Sequence, residues 1–234
     1  MSHSPLANLQ KRFFAWGMAR ANTGTRSVKL DACHTHDNLG ELKQTLFSRL
    51  QGTVLEIGPG AGANFAHFPP DIRWIGIEPN PHMHGYLKEE ADRQGFGAIA
   101  LYEGGAERIP LDDASVDCVV GTHVFCSVDD PQQSLREIGR VLKPGGELIF
   151  LEHVAAESGS WNRQVQDAVA PIWKRVFDNC HPNRETETAL RLAGFEIAEG
   201  LNFRLKFPII APHAAGVAKK VGVGIRESVL GSRY

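Results

Sequence analysis

The chain has 234 residues and a net charge near −2, from 25 Lys and Arg against 27 Asp and Glu. Apolar residues make up 42% and charged residues 22%, a globular balance that excludes a disordered chain and calls for no nucleic acid partner. Cys33, Cys118, Cys126 and Cys180 are too scattered for a disulfide framework. No apolar run reaches the length of a membrane span, and the N-terminus lacks a signal-peptide stretch, so a cytoplasmic protein is expected.

A helix is predicted over residues 5–20, with Leu6, Leu9, Phe13 and Trp16 on one face and Lys11, Arg12 and Arg20 off it. Residues 1–30 also carry Arg26 and Lys29, and no acid. Such a segment suits a lid, a packing helix, or a peripheral contact with an anionic membrane surface. A second helix is expected over 37–50, where Leu39, Leu42, Leu46 and Leu50 recur at helical spacing. Strands and helices then alternate, the pattern of an α/β sheet. Strands are expected at 53–57, 74–78, 98–102, 116–120 and 147–153, with helices at 81–94 and 131–142. Lys143–Gly146 reads as a turn. Residues 157–194 read as mostly helical, with Asn183 as N-cap of a helix over 184–193 and Gly194 as its stop. Segments 195–206 and 208–219 form a final antiparallel pair, and the last fourteen residues a loose tail.

The strongest signal is Gly58-Pro59-Gly60-Ala61-Gly62, directly after the strand Thr53–Ile57. Glycines there let backbone amides approach a ligand closely. Glu78 follows 20 residues after Gly58, at the end of the next strand, where an acid can accept from ribose hydroxyls. Loop and acid together point to an adenosine-containing cofactor. Gly58, Gly60 and Ala63 also fit the relaxed dinucleotide pattern, so a nicotinamide cofactor stays open on this loop alone.

The wider pattern separates the two. Glu56 precedes the loop, Gly105–Leu111 follows the third strand, Ser115–Val120 opens the fourth, and Leu135–Ile138 with Arg140–Gly146 leads into the fifth. This series, over roughly residues 50–155, resembles the class I methyltransferases that use S-adenosylmethionine. Leu55–Gly58, Gly62–Phe65, Pro79–Pro81, Cys126–Val128, Glu152–Glu157, Trp161-Asn162, Phe177-Asp178 and Cys180 narrow it to one branch. That branch is the animal methyltransferase-like alkyl-thiol S-methyltransferases. It departs from this chain at the start, where those proteins carry a hydrophobic anchor and this one a basic amphipathic stretch.

The resemblance implies a Rossmann-like class I fold: a seven-stranded, mostly parallel sheet with N-terminal helices. It implies a helical lid or surface segment over 1–50, a methyltransferase domain over 51–220, and a tail over 221–234. The reaction it implies is methyl transfer from S-adenosylmethionine to a small molecule, first of all an apolar thiol, with S-adenosylhomocysteine as product. Methylation of a quinone, sterol or lipid amine is the rival acceptor reading. An NAD(P)-dependent oxidoreductase and a non-catalytic S-adenosylmethionine-binding protein are the rival classes. Gly58, Gly60, Gly62, Asn64 and Pro79 would line the cofactor, Glu56 orient its amino group and Glu78 hold its ribose. Ala106 and Glu107 would flank adenine, with Thr122 and His123 beside the methionine portion.

A thiol acceptor reacts as thiolate, so a base near neutral pH is useful. His123 and His153, at the carboxyl ends of strands, are the candidates. Each also reads as a satisfied core or rim histidine. Methyl transfer needs no enzyme nucleophile, so Cys126 reads as a small packing residue. The crowded run Cys33–Asp37 lacks zinc-ligand spacing, and no metal is expected.

Overall fold

A computed structural model describes residues 5–21 and 28–221. Arg26 and residues 222–234 of the expected tail lie outside the described residues, as does the side chain of Leu6. The elements are α1 (Pro5–Ala21), α2 (Leu39–Phe47), β1 (Thr53–Ile57), β2 (Arg73–Ile77), α3 (His84–Arg93), β3 (Ala100–Tyr102) and β4 (Val116–Thr122). They continue with α4 (Pro131–Val141), β5 (Leu142–His153), α5 (Trp161–Val176), α6 (Thr186–Leu192), β6 (Phe195–Arg204) and β7 (Pro212–Lys220).

The seven strands form one sheet in the order β3-β2-β1-β4-β5-β7-β6. Neighbours from β3 through β5 pair in parallel, and β7 runs antiparallel to both β5 and β6. The inner strands are apolar on both sides, as a parallel sheet covered on two faces requires. One face packs Phe47, Phe65, Trp74 and Leu42. The other packs Phe125, Phe150, Leu135 and Ile138. α2 begins after Asn38, whose Oδ1 accepts from the Glu41 N–H at 3.0 Å, while Glu41 Oε2 accepts from the Asp37 N–H at 2.9 Å. These bonds occupy donors that a helix start leaves open.

Three local expectations are corrected. Lys143–Gly146 is drawn into β5 as an irregularity: the β4–β5 register jumps from Val116↔Leu142 to Cys118↔Glu147. The loop-out needs φ = +80° at Gly145, which is why the segment reads as a turn. Residues 157–194 hold two helices, and the chain between them passes through positive φ at Asp178 and Asn179, which ends α5. Asn183 does not cap α6. Its Nδ2 donates to Asp167 Oδ1 at 2.7 Å, and Glu185 occupies the cap position.

Reversing β7 has a direct consequence for the site. The start of β7 lies at the same sheet edge as the ends of β4 and β5, with His213 opposite His153 in the register. Gly216 makes this packing close. It pairs with Gly200 on β6 beside the irregularity at Ile197/Glu199, and a Cβ there would lie 2.1 Å from the Glu199 carbonyl oxygen.

Candidate active site

The carboxyl ends of β1, β2, β4 and β5 and the start of β7 meet at one rim. On the β1 side, the Gly58 N–H donates to the Ile77 carbonyl at 2.9 Å, tying the loop to the end of β2. Gly60 has φ = +56°, and a Cβ there would find no atom within 4 Å. The loop therefore leaves a bare backbone surface facing open space.

Glu78 is held firmly at this surface. Its Oε2 accepts from the Gly60 N–H at 3.0 Å and its Oε1 from the Asn80 N–H at 2.8 Å. Burial pushes its carboxyl pKa up, against these two bonds. A carboxylate oxygen accepts more than one hydrogen bond, so capacity remains for hydroxyls of a ligand. Pro79 beside it is exposed.

Glu56 is turned the other way. It has no exposed surface, its Oε1 accepts from Asn64 Nδ2 at 2.7 Å and its Oε2 from Trp74 Nε1 at 2.9 Å. Both oxygens of the Glu56 carboxylate, expected to orient the amino group of the cofactor, are thus engaged within the protein. Desolvation raises its pKa to about 7, opposed by those two bonds and by buried Lys43. Lys43 is in turn pushed down to about 8, by desolvation against the attraction of Glu56. Asn64 bridges onward, donating also to Thr122 Oγ1 at 2.8 Å, while its Oδ1 is buried with no partner. An orphaned acceptor beside the glycine loop, with the open face at Gly60, fits the ammonium and backbone-lined end of S-adenosylmethionine.

Ala106 is buried below the rim. Glu107 is engaged through one oxygen: its Oε1 accepts from the N–H groups of Asp129 and Asp130 at 2.9 and 3.3 Å, which pins the post-β3 loop to the entry of α4.

Glu152, to which the sequence reading gives no role, organises the turn after β4. Its Oε1 accepts from Val124 N–H at 2.7 Å and Phe125 N–H at 3.1 Å, and its Oε2 from Cys126 N–H at 3.4 Å. Desolvation raises its pKa to about 7 against those bonds. The signal available was an acid closing the apolar run Leu148–Leu151.

Three histidines gather here. The rings of His123 and His213 lie 5.3 Å apart, those of His123 and His153 6.4 Å, and those of His153 and His213 6.3 Å. His153 and His213 are buried, and His123 is accessible. Yet desolvation is the largest cause holding the His123 pKa well below its usual value, followed by His213 and His153. The His123 ring thus sits at the solvent-facing side of the histidine group. His213 is pushed down to about 4, by desolvation above all. Of the two candidate bases, His123 is therefore the one a ligand can reach. His153 instead places Nε2 3.1 Å from Cys180 Sγ, with Nδ1 buried and unpartnered. A separate cavity of about 660 Å³, lined by Val154, Arg163, Thr186, Phe203 and His213, opens on the β7 side and does not include the glycine loop.

α1 crosses the β1–β2 end. Its Lys11 carbonyl accepts from Asn80 Nδ2 at 3.2 Å, Asn8 Oδ1 pairs with His82 Nε2 at 2.7 Å, and Ala15 packs with Ala61 of the glycine loop and Met83. Gln10 Nε2 donates to the Arg175 carbonyl of α5 at 2.6 Å.

Comparison with known proteins agrees with this geometry. A methyltransferase-domain family matches residues 55–150. The human thiol S-methyltransferase TMT1A is 36% identical over 197 residues, covering 79% of this chain and 81% of its own. The human thiol S-methyltransferase TMT1B is 40% identical over 190 residues, covering 76% and 78%. Among solved structures, YcgJ of Bacillus subtilis superposes with a TM-score of 0.63 at 18% identity, covering 79% of this chain and 98% of that one. The [4+2]-cyclase SpnF superposes at 0.67, also at 18% identity, covering 91% and 94%. At that identity the two structures speak for the fold alone.

Proposed function

The chain belongs to the S-adenosylmethionine-dependent methyltransferase family that includes these thiol S-methyltransferases, and from that premise we propose that its acceptor is a small, apolar thiol. The observation that carries this reading is His123, a reachable imidazole held uncharged near neutral pH, which follows Thr122 at the end of β4. The 660 Å³ cavity shares His213 with the histidine group, and Phe203 and Val154 line it together with Glu157, Arg163, Glu185 and Arg204.

Bound S-adenosylmethionine supplies a methyl group already activated for displacement. Gly60 and Glu78 would hold the nucleoside side of the cofactor, and Asn64, fixed from behind by Glu56, would face its ammonium end. Glu152 fixes the turn that carries His123 and Val124. His123 accepts the hydrogen bond of the acceptor S–H and aims its sulfur. Its lowered pKa makes it a weak base, so it passes the proton to solvent rather than storing it. Positioning supplies the rest of the rate.

A panel of alkyl thiols, amines and phenols, read by S-adenosylhomocysteine release, tests the acceptor. Turnover of amines or phenols with thiols left intact overturns the thiol reading. For wild type, kcat/KM should rise only a few-fold between pH 7 and the ionisation of the thiol near about 8.5, with no inflection near 6.5. His123→Ala should lower it about tenfold at pH 7 and approach wild type above the thiol pKa. An inflection near 6.5 that vanishes in His123→Asn would show that His123 stores the proton.

The exposed face of α1 supports a second proposal, a peripheral membrane contact. Phe13 is 64% exposed, Trp16 50% and Leu9 48%, beside exposed Ile172, Val176 and Phe177 of α5 and its exit. No helix among the described residues is long and apolar enough to cross a membrane. Sedimentation with vesicles rich in anionic lipid should capture the protein, and Phe13→Glu/Trp16→Glu should release it. Equal recovery of both forms in the supernatant would set the contact aside.

A further inference from the structure

Cys126, His153 and Cys180 lie far apart in sequence. Their side-chain ligand atoms meet within 4.8 Å of one another where the post-β4 turn, the end of β5 and the exit of α5 converge. The backbone locks the two cysteine segments together, since the His181 N–H donates to the Cys126 carbonyl at 2.8 Å. Cys126 is buried, and Cys180 is half-buried.

Two questions decide what such a cluster does. The first is whether it suits a cation. Two thiols and an imidazole are a zinc-like set. However, Arg184 acts electrostatically on both cysteines, its Nε is buried without a partner, and Trp173 Nε1 donates to Cys180 Sγ at 3.3 Å. Those groups favour an anion on Cys180 over a metal ion beside it. The second is whether the thiols can react. The neighbouring Cys126 thiol is the largest cause holding Cys180 below the ordinary thiol range, with His153 and Trp173 adding to it, and Cys126 is pushed up correspondingly. Redox-active cysteines share these traits: thiolate character, partial access and a second thiol in reach.

We propose that Cys180 is a hydroperoxide-reactive thiolate and Cys126 its resolving partner. The Cys180 sulfur attacks the O–O bond and gains one oxygen. The departing hydroxide takes the proton that Cys180 had lost and leaves as water, giving a sulfenic acid. The Cys126 sulfur then attacks this sulfur. Its proton and the sulfenic hydroxyl leave as a second water, and a Cys126–Cys180 disulfide forms. One peroxide is reduced and two thiols are oxidised; two equivalents of a small thiol reverse the change. Side-chain rotation brings together sulfurs already within 4.8 Å. The disulfide ties the turn that carries His123 to the exit of α5.

The experiment uses the full-length, reduced protein with stoichiometric hydrogen peroxide. Two of the four thiols should be lost, the mass should fall by about 2 Da, and peptide mapping should link Cys126 to Cys180. In Cys126→Ser, or Cys126→Ala if the serine variant melts early, Cys180 should instead be trapped by dimedone. Cys180→Ser should keep its three remaining thiols under the same dose. Survival of all four thiols overturns the proposal. So does a link through Cys33, or one equivalent of zinc protecting the pair. None of these readouts depends on the identity of the methyl acceptor.

Discussion

Glu56→Ala is expected to lower stability by about 3–5 kcal/mol, the usual cost of stripping one partner from a buried charge pair. Two donors lose an acceptor at once, Asn64 Nδ2 and Trp74 Nε1, and the charge of Lys43, which is 5% exposed, loses the attraction of Glu56. For a chain of this size the melting temperature should fall by roughly 6–20 °C. Glu56→Gln keeps the shape and one acceptor and should lose much less. The glutamine variant also isolates a pH effect. The folded pKa, about 7, stands above the ordinary carboxyl value of 4.5. A raised pKa means that the folded state binds the proton more tightly. This part of the stability is fully present below 4.5 and is lost as pH rises through 7. Melts of both proteins from pH 5.5 to 8.5 should therefore show wild type losing ground to Glu56→Gln as pH rises. Lys43, which loses the attraction of Glu56 in the variant, titrates lower there and adds to the same trend, while groups remote from Glu56 cancel. A difference that stays flat with pH would mean that Glu56 is ionised throughout.

Glu78→Ala should weaken S-adenosylmethionine and S-adenosylhomocysteine binding about a hundredfold by calorimetry, close to 3 kcal/mol. One or two hydrogen bonds to a charged acceptor account for that. The variant removes the proposed ribose acceptor and also releases the Gly60 and Asn80 N–H groups that Glu78 holds. Glu78→Asp pulls the carboxylate back by one methylene and should fall between the two. Affinity within twofold of wild type for Glu78→Ala would place the ribose elsewhere.

These two acids show what a sequence discloses and what it withholds. Both are legible as positions: a strand, a glycine loop, and an acid closing the next strand stand within two residues of where the sheet holds them. Their orientation is not legible. Glu56 sits two residues before the loop and invites a ligand role, yet Trp74 and Lys43, from β2 and α2, turn its carboxylate inward. Lys43 reads as a solvated charge between leucines, and only the tertiary packing shows that it is buried. Glu107 is captured in the same way by backbone N–H groups 22 and 23 residues away. The helix at 157–194 breaks where Asp178 and Asn179 take left-handed backbone, a conformation to which asparagine and aspartate are prone but not bound. The sulfur–imidazole cluster is the least legible part. Each of its members is 27 residues from the next along the chain, and only the order of strands in the sheet brings them together.

The three rim histidines bear on the reaction in one more way. With a thiol acceptor, methyl transfer unites a cation with an anion and leaves two neutral thioethers. Charge disappears along the path. Water, which solvates separated ions well, favours the starting state and slows such a step; surroundings of low polarity do the opposite. Crowding holds His123 and His213 uncharged near neutral pH. They line the rim with polar atoms but add no fixed charge, so the site can orient a sulfur without stabilising the ions that the reaction must consume.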